Sequence, residues 1–420
     1  MVSENEADRI RRISDLLYRA TRSIRILSQV SWSGKVRNQF FEKGARELPV
    51  VSYPGFDASE SLGCVDEARK HIQDSSVDAW LNRQARYIEN SARMLSSVGT
   101  PDYFKYSSEL YGRPLDVLPD QISTSHALAT HFNEQIQAVS HIDLGAPHPA
   151  CYLAETVADE MRKAAKAMFN DEAPVVSVVD DLSANALAGP RRIRIRRTAC
   201  FTDNDISQLI NHEAYIHVAT SLNGLAQPDL KILGAGHPGT TRTQEGLAVF
   251  AEFITGSIDF DRMRRLADRV LAIQMAIDGA DFLDIYRYFL ERTGNAEQAY
   301  ENSRRVFRGG VLSGGAPFTK DIVYLDGMLR VHSFLQAIVS TGRVDCIRLL
   351  FCGKLDIEDI PTIYELSKRG LCRPPKYLPP WASDMRFLLC NLTYSTFLSG
   401  MDLEPMKAHY DGMLDAIPKS

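Results

Sequence analysis

Residues 210–220 read INHEAYIHVAT and set two histidines, His212 and His217, five positions apart, with Glu213 directly after the first. Imidazole and carboxylate are donors that zinc accepts, and a catalytic zinc takes three protein ligands and keeps one position open. In zinc peptidases a glutamate beside a ligand histidine takes the proton of the metal-bound water. The spacing is a difficulty. In H-E-x-x-H the histidines lie about 40° apart around a helix, whereas five residues on an ideal α-helix separate them by about 140°. Two ligands on one ion therefore require a π-type widening, or another loosening of the turn, between Glu213 and His217. His126 and His131 show the same spacing, but alanine follows the first and no adjacent acid accompanies them. That pair is expected to bind no metal. The spacing alone also allows two helix histidines that merely happen to be neighbours.

A third ligand is available downstream in TRTQEGLAVFAEF, residues 241–253, which begins a second helix. Glu245 is placed in its first turn, where the helix dipole tolerates a carboxylate. Gly246 has no side chain, so another helix can approach closely there. Glu252 lies seven residues beyond Glu245 on the same face and is positioned to hold a ligand histidine from behind. The plainer alternative is that Glu245 is an N-terminal helix acid and Glu252 a solvated one. His237 is the candidate for a fourth protein ligand, which would make the site structural instead of catalytic.

Substrate-side candidates follow from charge. RRIRIRRTACF, residues 191–201, alternates with period two, putting Arg192, Arg194 and Arg196 on one face and Ile193 and Ile195 on the other. A sheet edge of this kind either adds an acidic peptide as a further strand or guards itself against aggregation. A carboxypeptidase must hold a terminal carboxylate, which the guanidinium fork of arginine does well. NSRRVFRGG offers Arg304, Arg305 and Arg308, and FTKDIVYLDG adds Lys320 and Tyr324, the latter a candidate to steady an oxyanion. Each of these is equally an ordinary solvated residue.

The elements that must position these groups are mainly helices. Ile10, Ile13, Leu16, Leu17, Ala20, Ile24 and Leu27 recur at helical spacing within 5–45, and further helices are expected near 60–98 and 120–140 and from the segment PHPACYLAETVADEMRKAAKAMF. APVVSVVDD is short, β-branched and apolar and reads as a strand, followed by a turn-rich loop and the arginine strand. Thr202 with Asp205 three residues later forms a capping-box pattern that starts the histidine helix, and Asn223-Gly224 is a plausible stop. The expectation is an α+β fold, mainly helical, with a small β-sheet beside the metal-binding helix and a zincin-like catalytic core. It divides into a helical region 1–171, a catalytic region 172–345 and a helical region 346–420.

Composition bounds the function. The 420 residues carry 48 Lys and Arg against 53 Asp and Glu, a net charge of −5, so no global basic character points to nucleic acid. The N-terminal residues show no signal-peptide pattern, and no run approaches the ~20 apolar residues that span a bilayer, so no membrane partner is expected. Seven scattered cysteines without a C-x-x-C pair read as reduced thiols in a cytoplasmic protein.

NHEAYIH, followed by QEGLAVFAE with Glu245 28 residues beyond His217, together with FTKDIVYLDG and RRVFRGG, resembles a known family. Its bacterial members are the flavohaemoglobin expression-modulating QEGLA-motif proteins. Its animal relatives are microtubule-associated tyrosine carboxypeptidases, which remove the C-terminal tyrosine of α-tubulin. The resemblance implies one Zn2+ on His212, His217 and Glu245, with Glu213 as general base. Gln244 precedes Glu245 as in the bacterial branch. The function expected is a zinc-dependent metallopeptidase, a carboxypeptidase acting on peptide or protein C-termini. Its rival is a metal-containing regulatory protein that modulates gene expression by binding a partner.

Overall fold

The computed structural model describes residues 4–139, 142, 152–180, 182 and 184–417. The fold is mainly helical α+β, with a single three-stranded sheet among the described residues. Its elements include α1 (Glu4–Ala20), α2 (Ser76–Ser96), α3 (Ala154–Phe169), β1 (Val175–Val179), β2 (Ala186–Gly189), β3 (Arg192–Arg196) and α4 (Asp203–Leu209). A π-helical segment, Ile210–Val218, then runs into α5 (Ala219–Leu225), and α6 (Pro238–Ile254), α7 (Phe260–Ile277), α8 (Ala296–Phe307) and α9 (Val323–Ser340) follow.

The helical periodicity over 5–45 is broken into three helices. Thr21 turns its hydroxyl back onto the Tyr18 carbonyl at the end of α1, and short helices follow at Ile26–Gln29 and Gly34–Glu42. The 60–98 region is likewise split, because Ser75 accepts from the Asp78 N–H and caps a fresh helix start. The Thr202–Asp205 capping box forms and begins α4.

The alternating arginine strand is β3, with Ile193 and Ile195 buried and Arg192 and Arg194 exposed. It is not an edge. The strand order is β1-β3-β2, with β3 parallel to β1 and antiparallel to β2. The edge nearest the histidine helix is therefore β2. Alternation reports a half-exposed strand but not its neighbours, so the sequence leaves this order open.

Two apolar cores meet at the π segment. Ile216 points into the larger core with Leu247, Phe250 and Ile254 of α6. Ala214 and Val218 point into a smaller one with Ile193, Ile195, Phe169 and Tyr377. Helix α6 crosses α9 at Gly246, where an added Cβ would lie 2.3 Å from the Gly327 carbonyl group. Only a glycine pair permits that approach. Residues Lys320–Ser340 are long and apolar enough to span a bilayer, with mean hydropathy 1.2, contrary to the expectation of no such run. In this fold the segment is a core helix packed along α6.

Cys200 is disulfide-bonded, against the expectation that every cysteine is a reduced thiol. Bond formation depends on spatial approach, which spacing along the chain does not report. Cys64, Cys346, Cys352, Cys372 and Cys390 are free, and Cys151 lies outside the described residues.

Candidate metal centre

His212, Glu213 and His217 all lie in the π segment. A ladder of i→i+5 hydrogen bonds brings residues five apart nearly one above the other, which removes the 140° mismatch of an α-helix. The His212 and His217 rings lie 4.8 Å apart between centroids. Glu245 enters from α6, and one ligand atom each of His212, His217 and Glu245 falls within a sphere of mutual distances under 4.8 Å.

The donor geometry fits zinc. Glu245 Oε2 lies 3.5 Å from His212 Nε2 and 3.5 Å from His217 Nε2. Ligand atoms about 2.1 Å from a tetrahedral centre stand about 3.4 Å from one another. The other oxygen of Glu245, Oε1, accepts from Lys320 Nζ at 3.1 Å, which turns Oε2 toward the imidazoles. Helix α6 begins at Pro238, so Glu245 sits well inside it and not in its first turn as the sequence reading had it. His237-Pro238, a proline at the first helical position, is the signal that marks the true start. The Glu245 charge is consequently held by side chains and not by the helix dipole.

Behind the ligands, His212 Nδ1 lies 2.6 Å from Glu252 Oε1. Glu252 is fully buried and accepts from Arg262 through Nε at 3.0 Å and Nη2 at 2.9 Å. Arg262, which holds Glu252 in place behind His212, is not visible to sequence reasoning, because no spacing rule connects it to His212. Electrostatics follow the geometry. Burial disfavours the charged form of His212, but Glu245 and Glu252 outweigh it and raise the imidazole to about 10. Burial dominates at His217 and lowers it. At Glu245 burial acts to raise the carboxyl, yet Lys320 and the two histidines hold it well below the ordinary range. Burial likewise opposes ionised Glu252, and Arg262 and His212 overcome it, holding the group at about 2.

A depressed carboxyl stabilises the fold above its unfolded value of about 4.5 and loses that contribution as pH falls through about 2. The metal-free protein is therefore expected to lose on the order of 3 kcal/mol between those limits from Glu252 alone. Urea unfolding at stepped pH measures this. A wild-type acid limb no steeper than that of Glu252→Gln would refute the assignment.

Glu213 faces the cleft, and its Oε2 accepts from the Ala188 N–H of β2 at 3.0 Å. The cleft comprises two cavities of about 550 and 530 Å³, both bordered by His212, Glu213, Arg305 and Tyr324. The remaining sequence candidates divide by partner. Arg305 is committed to Asp321 through Nε and Nη2, and its Nη2 reaches the Tyr324 hydroxyl at 3.4 Å, as does Lys320 Nζ. Arg304 pairs with Glu301. Arg308 is 6% exposed, borders the cavity, and has no acid partner among the described residues. His237 does not join the metal group, which among the described residues has three members. Among the described residues His126 and His131 belong to no such group, and His131 lies at the surface, 3.7 Å from Glu134.

The family model described as microtubule-associated tyrosine carboxypeptidase matches residues 38–400. No curated protein matches the chain. Among solved structures, the crystal structure of a lipoprotein from Colwellia psychrerythraea is similar at 14% identity and a TM-score of 0.36, covering 80% of this chain and 66% of that one. That likeness is too weak to carry an argument. The family match spans both histidines, Glu213 and Glu245 and nearly the whole fold around them, and on that extent the chain belongs to the microtubule-associated tyrosine carboxypeptidase family.

Proposed function

We propose that this chain is a zinc-dependent carboxypeptidase that removes residues from peptide or protein C-termini, using a zincin-like pairing of the π segment with β2. The observation that carries the reading is the convergence of His212, His217 and Glu245, with Glu245 Oε2 3.5 Å from each imidazole Nε2, Glu213 beside them and, among the described residues, no fourth protein donor in the group. A zinc ion held by these three residues would supply Lewis acidity and would bring the pKa of a water at its open position toward ~7.

The remaining work falls to the chain. Glu213 is anchored through Oε2 on the Ala188 amide, which leaves Oε1 to take the proton of the attacking water and deliver it to the departing amine. The Tyr324 hydroxyl accepts from Arg305 and Lys320, so its own proton is free to donate to the oxygen of the scissile carbonyl. Glu252 and Arg262 fix the ring of His212, as carboxylates behind ligand histidines do. The cleft is strongly basic, with Arg194, Arg308 and Lys354 on its walls, which suits an acidic C-terminal segment. Metal analysis after dialysis against dilute zinc tests the reading. One zinc per chain is expected, with loss in His217→Ala; a zinc content unaffected by that substitution would place the metal elsewhere.

A further inference from the structure

One wall of the cleft carries polar groups to which the mechanism above gives no catalytic step. His237, the residue preceding α6, is 5% exposed, and neither ring nitrogen has a partner among the described residues. Gln244 is 4% exposed; its Oε1 accepts from Thr220 at 2.7 Å, while its Nε2 is buried without a partner. Lys354 borders the same cavity. Its stem lies against Gly236, where an added Cβ would be 3.3 Å from Cδ and 3.9 Å from Nζ. Its backbone N–H is fixed on the Leu233 carbonyl at 2.7 Å. Among the described residues its ammonium makes no ion pair. Burying unpaired donors costs free energy that a ligand can return.

These groups share a chemistry. An ammonium, an amide NH2, an imidazole and the first turn of a 17-residue helix all favour an anion. They also share a place, since His237, Gln244 and Lys354 all border the cavity that His212, His217 and Glu245 line. We infer that His237, Gln244 and Lys354 receive the carboxylate of the substrate's last residue, an assignment that rests on the carboxypeptidase reading. In such an enzyme the terminal carboxylate lies one residue beyond the scissile carbonyl, about 3.5 Å of chain, so its receptor must stand close to the metal ligands. Lys354 and Arg308 both border the cavity that His212, Glu213, His217 and Glu245 line, and their surroundings differ. Burial pushes the Lys354 ammonium down while Glu245 and Glu213 draw it up. Arg308 is lowered to about 10, by burial first, and the groups that act on it are Arg305, Asp321, Arg304 and Tyr324, none of them a metal-ligand candidate. The guanidinium of Arg308 also lies over the Phe318 ring at 5.7 Å.

The test compares one peptide with a free C-terminal acid and the same peptide as its C-terminal amide. Lys354→Met keeps the stem against Gly236 and removes the charge, so folding and zinc content should hold. Wild type is expected to prefer the acid. Lys354→Met should cut that preference about 10- to 100-fold, mainly through KM, and Lys354→Arg should restore much of it. Binding of the two peptides to zinc-loaded Glu213→Gln, with and without Lys354→Met, gives the same ratio without turnover. An undiminished acid preference in Lys354→Met overturns the assignment, and so does its loss in Arg308→Met alone. Failure of wild type to cleave either peptide counts against the peptidase reading, and the binding ratio then decides the subsite by itself.

Discussion

Glu213→Gln should abolish most peptide cleavage while leaving the metal in place. The substitution keeps the side-chain volume and can keep an acceptor for the Ala188 N–H, so β2 and the π segment stay joined. What it removes is the proton acceptor beside the bound water. The expected fall in kcat is about 10²- to 10⁴-fold, the range of general-base catalysis, with little change in KM. Zinc content should remain near one per chain, because Glu213 does not belong to the ligand group. Paired kinetics and metal analysis read both quantities. Full activity in Glu213→Gln would remove the hydrolytic mechanism.

Glu245→Gln should act in the opposite order, on the metal first. Its Oε2 faces both imidazoles and its Oε1 holds Lys320. A neutral amide is a poor zinc ligand, so zinc should be lost or greatly weakened and activity lost with it. The substitution also leaves the buried Lys320 ammonium without its carboxylate, a change that costs about 3–5 kcal/mol when one partner of a buried pair is removed. The stability loss should therefore exceed that caused by chelating zinc from the wild type, which removes only the metal's mass-action contribution. Equal losses in the two experiments would show that the Lys320 pairing contributes little.

Much of the centre is legible in the sequence because it rests on residue type and local spacing. His212, Glu213 and His217 identify themselves by donor chemistry, and their awkward five-residue spacing already demands the π segment that the structure contains. Gly246 announces a close helix approach, but its partner Gly327 lies 81 positions further along the chain and no local pattern names it. The same holds for Arg262 behind Glu252, Lys320 on Glu245 and Lys354 beside Gly236. These are long-range contacts set by packing. The start of α6 lies three residues before Thr241, at Pro238, where proline at the first helical position and not the apolar pattern marks it. The place of β3 inside the sheet was hidden because alternation is the same for an edge and for a half-exposed central strand.

The most direct measurement is mass spectrometry of a C-terminal peptide library after incubation with the zinc-loaded protein, with and without a chelator. Loss of single C-terminal residues, favouring peptides with acidic ends and abolished by chelation, is the predicted result. Intact peptides with zinc bound at His212, His217 and Glu245, or cuts confined to internal bonds, would contradict it.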